Sequence, residues 1–179
     1  LEAIRAVCDK WHLYLFLDGA RLGYALASPK NDVSLRDLAR LTDVFYLGGT
    51  KAGALFGEAV VIANPEIARD FRYHIKQRGG MLAKGWLLGL QFDVLLEDGR
   101  YFQISQQAVD RAMEIRAALE ALGIPFWSDS WTNQLFPILP NEALTALERD
   151  YVFNHTEKMD DTHTAVRICT SWATTEAQT

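Results

Sequence analysis

The sequence has few cysteines, no long apolar run and no basic run, and each absence narrows its possible functions. Its 179 residues include only Cys8 and Cys169, without the spacing of metal ligands. This predicts reduced thiols in a cytoplasmic protein, with a single disulfide as the alternative, and no metal site. No apolar stretch reaches the roughly 20 residues of a membrane helix. The net charge is −5 without a Lys/Arg cluster, so neither a membrane nor a nucleic acid partner is expected.

Hydrophobic patterning predicts an α/β fold. Strands are expected at residues 13–17, 44–47 and 58–63, and the first lacks polar alternation. Such a strand is typical of a mostly parallel sheet whose two faces are covered by helices, so residues 13–17 are expected to be buried. Helices are predicted at residues 1–11, 35–41, 66–77 and 81–96. Ser34 is expected to cap the second of these helices, and Pro65 to open the third.

A change of pattern near residue 97 predicts two domains, 1–97 and 98–179. The second is expected to hold a long helix, with an apolar stripe from Tyr101 to Leu122 that Gly123 ends, and a small α+β unit. Its predicted strands are 124–127, 134–139 and 165–169, and Asn141 is predicted to cap a short helix. The chain opens in a helical pattern without an initiating Met, so it is expected to be the later part of a longer protein.

Two strand ends carry residues that suggest pyridoxal 5′-phosphate (PLP) chemistry. Lys51 lies in the glycine-lined turn GGTKAG (48–53) after the second predicted strand, and Asp18 directly follows the first. In PLP enzymes a lysine forms a Schiff base with the cofactor aldehyde, and a carboxylate pairs with the ring nitrogen. The ordinary alternatives are a turn or cap Asp and an exposed lysine in a glycine turn.

Three further residues complete the candidate site. Thr50 could offer its hydroxyl to the cofactor phosphate, and Arg21 could bind a carboxylate in bidentate fashion. Arg167 lies in the middle of an apolar strand, where an unpaired arginine would be costly, so it is expected to face a cleft or an acid. The alternatives are a solvent-exposed Arg21 and an edge-strand Arg167 that faces water.

Four motifs together resemble one enzyme family. LDGARL (17–22), GGTK (48–51), RGGM (78–81) and AVRICTSW (165–172) occur in the order and rough spacing of the low-specificity L-threonine aldolases. These belong to the aromatic amino acid β-eliminating lyase/threonine aldolase family, of PLP fold type I, and the resemblance covers almost the whole chain. It implies the second half of the large PLP-binding domain, followed by the small C-terminal domain. The phosphate cradle and the ring-stacking histidine would lie upstream.

The resemblance also implies roles for single residues. Lys51 would be the Schiff-base lysine and Asp18 the partner of the ring nitrogen. Arg21 and Arg167 would converge on a cofactor oxygen and the substrate carboxylate, and Lys76 would be a basic active-site residue. In a homodimer or homotetramer with shared sites, Lys76 or Arg78 could serve the partner's site.

The implied reaction is the retro-aldol cleavage of L-threonine or L-allo-threonine to glycine and an aldehyde. The alternatives are a PLP-dependent β-eliminating lyase, or a truncated fragment that folds and dimerises without catalysis. Two departures from the family pattern affect the substrate range. RGGMLA (78–83) replaces the GGGMRQ that is frequent in the family, and TSW (170–172) stands where many members have Thr-His-Trp.

Overall fold

The computed structural model describes all 179 residues, which divide into two compact units. The first comprises Leu1–Leu26 and Asn31–Gln103, and the second Ala27–Lys30 and Ile104–Thr179. The sequence-based division into domains 1–97 and 98–179 stays a prediction. No helix combines the length and apolar character needed to cross a membrane.

The first unit alternates helices and strands. In chain order its elements are α1 (Glu2–Lys10), β1 (Phe16–Leu17), α2 (Leu22–Leu26), α3 (Leu35–Leu41), β2 (Val44–Gly48), β3 (Glu58–Ile62), α4 (Pro65–Ala68), α5 (Phe71–Gln77) and α6 (Trp86–Leu96). The sheet order is β1-β2-β3. β1 pairs with β2 in parallel, as predicted, whereas β3 returns antiparallel to β2. The sheet thus has one parallel and one antiparallel pair.

The predicted burial of residues 13–17 is wrong. Only Phe16 and Leu17 form a strand, and Leu13, Tyr14 and Phe16 are more than half exposed. α1 forms as predicted, but Cys8 is its only buried residue. β1 is the edge of the sheet, and its exposure shows that no other part of this chain covers it.

Local signals explain the helix starts of this unit. Ser34 and Asp37 form a reciprocal capping box on α3, and Asn64 caps α4 with Pro65 at its first turn, as these residue types favour. The helix predicted at 66–77 is split because Asp70 adopts the left-handed conformation, with φ 59°. The helix predicted at 81–96 begins only at Trp86, and it is not largely buried.

The second unit holds most of the long helix α7 (Arg100–Ala121), on which Ala108 and Ala112 are fully buried. Gly123, with φ 73°, follows it in the left-handed region, as predicted for the end of the helix. Leu122, the last residue of the predicted apolar stripe, is 77% exposed.

An antiparallel sheet follows this helix. Its elements are β4 (Gln134–Leu135), β5 (Ile138–Pro140), α8 (Asn141–Leu147), β6 (Asn154–Lys158) and β7 (His163–Cys169). β7 is central and pairs with all three other strands. Pro137 separates β4 from β5, and residues 124–127 contribute only an isolated bridge. Asn141 does not cap α8, because it is the first residue of the helix and its side-chain oxygen accepts from the Thr164 hydroxyl at 2.7 Å.

Candidate active site

The ends of β1 and β2 meet through their backbones. Asp18 directly follows β1, and the Gly48 N–H donates to the Gly19 carbonyl over 2.9 Å. A Cβ on Gly19 would lie 1.6 Å from the Tyr46 carbonyl oxygen, and one on Gly48 would lie 2.3 Å from that of Ala20. Both positions therefore require glycine. The parallel pairing places Asp18 and the Lys51 loop at the same edge of the sheet.

Asp18 is held in its ionised form. One carboxylate oxygen accepts from the Tyr46 hydroxyl and from the Ala20 N–H at 3.1 Å. The Tyr46 hydrogen bond lowers the pKa of Asp18 most, followed by that of Ala20, and the positive charges of Lys51 and Arg21 lower it further. The same contact raises the pKa of Tyr46. Sequence reasoning missed Tyr46, although its place on the strand beside Asp18 was a usable signal.

The backbone around Lys51 is fixed, while its side chain is free. Its carbonyl accepts from the buried Tyr24 hydroxyl. The Ala52 and Ala54 N–H groups donate to the Gly49 carbonyl over 2.9 and 3.0 Å, and Ala52 is fully buried. The side chain of Lys51 is exposed and has no hydrogen-bond or ion-pair partner, and its positive charge acts on Asp18.

Glu58 binds the residues immediately before Lys51. Its carboxylate accepts from the Gly49 N–H through one oxygen and from the Thr50 hydroxyl, at 3.0 Å, through the other. Nothing in the spacing of the sequence indicated this contact, which depends on the antiparallel return of β3. The Cβ direction of Gly49 is filled by the Gly57 carbonyl and the Phe92 ring, so a side chain would not fit at this position.

The Tyr101 side chain forms hydrogen bonds with the backbone at the same strand end. Its fully buried hydroxyl accepts from the Gly23 N–H at 3.1 Å and donates to the Gly48 carbonyl at 3.0 Å. Burial raises the pKa of Tyr101 to about 12. The sequence placed Tyr101 on an apolar stripe and gave no sign that its hydroxyl joins two backbone segments.

The other predicted residues have different surroundings. Arg21 is half-buried beside Asp18, and it has no hydrogen-bond partner for its side chain. Lys76 is exposed on α5, and no hydrogen bond or ion pair links it to Asp18 or Lys51. Arg167 lies on β7 of the second unit, where it donates to the Gln134 side chain over 3.4 Å and has no acidic partner. Asp18, Arg21 and Lys51 are thus the predicted residues that the structure brings together.

Comparisons with known proteins agree on one family. A family model described as beta-eliminating lyase matches residues 1–160. The low specificity L-threonine aldolase of Pseudomonas sp. (strain NCIMB 10558) is 31% identical over 99% of this chain and 51% of its own length. A structure of Leishmania major threonine aldolase is 49% identical with a TM-score of 0.94, covering 99% of this chain and 52% of that one.

The likeness in fold extends to more distant enzymes. A lysine aminotransferase from M. tuberculosis is 15% identical with a TM-score of 0.58, over 98% of this chain and 41% of its own. The architecture is that of the PLP fold type I enzymes, as the sequence predicted. The chain spans about half the length of the relatives that it matches.

Proposed function

Because the chain belongs to the beta-eliminating lyase family, we propose that the whole protein is a PLP-dependent aldolase. Its substrates are β-hydroxy amino acids, L-threonine or L-allo-threonine first, and its products are glycine and an aldehyde. The observation that carries this proposal is the pair of Asp18 and Lys51 at the ends of adjacent parallel strands. The 49% identity to a threonine aldolase favours this reaction over other PLP chemistry.

The donor set of the site fits two parts of PLP. Asp18 has a lowered pKa, and an ionised carboxylate suits a protonated ring nitrogen. Lys51 has an exposed side chain on a fixed backbone, which suits a bond to the cofactor aldehyde. The Thr50 hydroxyl, in contrast, donates to Glu58, so its predicted role as a phosphate ligand has no support from this geometry.

The residues of this chain have separate proposed roles in the reaction. When bound, PLP supplies an electron sink for the bond that breaks at the substrate Cα. Lys51 would provide the amine that holds the cofactor aldehyde. Asp18 would pair with the ring nitrogen in its protonated form, and the Tyr46 hydrogen bond favours the ionised form of Asp18 by lowering its pKa. Arg21 and Arg167 are proposed to hold the substrate carboxylate and a cofactor oxygen, which would orient the Cα–Cβ bond for cleavage.

The test combines covalent trapping with product analysis. Borohydride reduction of the PLP-loaded protein, followed by peptide mapping, should label Lys51, and the label should be lost in Lys51→Ala. Lys84→Ala is the matched control, because Lys84 is an exposed lysine in the first unit. Threonine should yield glycine and acetaldehyde. Labelling at another lysine would refute the assignment of Lys51.

β-Elimination is the second candidate, since the matching family model carries that description. This chemistry would release pyruvate and ammonia from an amino acid with a β leaving group such as serine. Measuring pyruvate and glycine in the same assay separates the two reactions. Pyruvate without glycine would replace the aldolase proposal by a lyase that eliminates a β substituent.

We also propose a homodimer or homotetramer with shared active sites. Trp86, Leu87, Leu90 and Val94 of α6 are each more than 40% exposed, and contiguous exposed apolar side chains are typical of interaction surfaces. Light scattering of the whole protein should give at least twice the mass of one chain. A monomer at micromolar concentration would contradict this part of the proposal. A cytoplasmic location stays a prediction from the two free thiols.

A further inference from the structure

Glu58 connects β3 to the loop that carries Lys51. It opens β3, lies opposite Gly48 in the antiparallel register, and places its carboxylate across the strand end. The two carboxylate oxygens are used separately, one by the Gly49 N–H and the other by the Thr50 hydroxyl. Hydrogen bonds to an ionised acceptor are roughly twice as strong as neutral ones.

The two ends of the loop between Gly49 and Gly57 approach each other closely where Glu58 binds the loop. The Gly57 carbonyl oxygen lies 2.5 Å from the position that a Cβ on Gly49 would occupy. The Tyr24 hydroxyl donates to the Lys51 carbonyl. The backbone of Lys51 is therefore restrained by two side chains, by Glu58 through the preceding residues and by Tyr24 directly.

We propose that Glu58 is the positioning residue of Lys51 and that Thr50 serves this contact instead of binding the phosphate. This inference rests on the proposed function, because it presumes that Lys51 carries the chemistry. A hydroxyl has one hydrogen to donate, and that of Thr50 is used by Glu58. A phosphate brought close to Thr50 would also meet the negative charge of Glu58. Glu58 acts through the lysine backbone and touches no reacting atom.

The experiment is a double-mutant cycle in the whole protein, with Glu58→Gln, Thr50→Val and both together. Glu66→Gln is the control, since Glu66 is an exposed glutamate of the same unit. The measurements are kcat and KM for threonine cleavage, the dissociation constant of PLP, and hydrogen exchange of the amides at residues 49–54. Exchange is measured with and without PLP, so one measurement is independent of activity.

Loss of the contact should misplace the lysine and lower kcat much more than it weakens cofactor binding. In Glu58→Gln we expect kcat to fall roughly tenfold to a hundredfold, with KM and the PLP dissociation constant changed less than about threefold. Amide exchange at residues 49–54 should be faster by about tenfold, and Thr50→Val should add little in the Glu58→Gln background.

Two outcomes would overturn the inference. One is a Glu58→Gln protein that matches Glu66→Gln in kcat and amide exchange. The other is a Thr50→Val protein that binds PLP more weakly and shows no coupling to Glu58. A wild-type protein without borohydride labelling at Lys51 would instead refute the proposed function, and amide exchange would still report whether Glu58 restrains the loop.

Discussion

Replacing Tyr101 by Phe tests the two hydrogen bonds that its hydroxyl makes with the backbone near the Lys51 loop. The hydroxyl of Tyr101 joins the Gly23 N–H to the Gly48 carbonyl, and the residue is fully buried. Phe keeps the ring and its packing but leaves a buried donor and a buried acceptor without this partner. Since each unpaired buried group costs about 1–3 kcal/mol, the expected loss of unfolding free energy for the two groups is about 2–6 kcal/mol.

The free energy of unfolding of the same variant should also respond differently to alkaline pH. Burial raises the pKa of Tyr101 from its ordinary value of 10.0 to about 12. The folded state therefore retains a proton that the unfolded state loses. The contribution of this proton to the free energy of unfolding is fully present below pH 10 and is lost as the pH rises towards 12. It amounts to roughly 2–3 kcal/mol. Phe has no such proton, so the stability gap between wild type and variant should narrow above pH 10.

Urea denaturation followed by tryptophan fluorescence measures both effects, at pH 7 and then at intervals up to pH 11. Tyr73→Phe is the control, because Tyr73 is 76% exposed and loss of its hydroxyl should change stability little. A loss below about 0.5 kcal/mol for Tyr101→Phe at pH 7 would refute the reasoning, since it lies below the range expected for even one orphaned group. If the difference in unfolding free energy between wild type and Tyr101→Phe stays constant up to pH 11, the predicted effect of the raised Tyr101 pKa is refuted.

Three other substitutions give clear expectations. Asp18→Asn should lower kcat by roughly a hundredfold without unfolding the protein, and unchanged kinetics would remove Asp18 from the site. At Asp43 burial raises the pKa, but hydrogen bonds from Leu15, Asn64 and Arg5 outweigh it and lower the pKa overall. Asp43→Asn should therefore cost about 2 kcal/mol at pH 7 and reduce the loss of stability below about pH 4; an unchanged acid titration would contradict this. Gly49→Ala should lower the midpoint of thermal unfolding by several degrees, since overpacking costs about 1–3 kcal/mol. Gly89→Ala is its control, as no atom apart from the neighbouring residues and the backbone of its own helix lies within 4 Å of the added methyl, and equal midpoints would contradict the crowding at Gly49.

Local features of the fold were predictable from the sequence because their causes lie within a few residues. The capping box of Ser34 and Asp37 and the helix that Pro65 opens depend on side chains bonding to nearby backbone. β2 and β3 follow from apolar segments bounded by turns. The same local logic located Asp18 and Lys51 at the ends of strands.

Features that depend on distant partners were not predictable. The apolar run at residues 13–17 indicated a buried strand, yet whether an edge is covered depends on other segments. β6 has the polar sequence Asn-His-Thr-Glu-Lys, and it forms because β7 offers a partner. Glu58 and Tyr101 contribute through contacts that only the tertiary fold creates.

The glycines explain why the two strand-end motifs belong together. A side chain on Gly19 would collide with the carbonyl of Tyr46, and a side chain on Gly48 would collide with that of Ala20. Each glycine is therefore required by the backbone at the end of the other strand. The direct hydrogen bond between them turns LDGARL and GGTK into one packing unit. A substitution at Gly19 should consequently displace Lys51 as well as Asp18, although Gly19 is remote from Lys51 in the sequence.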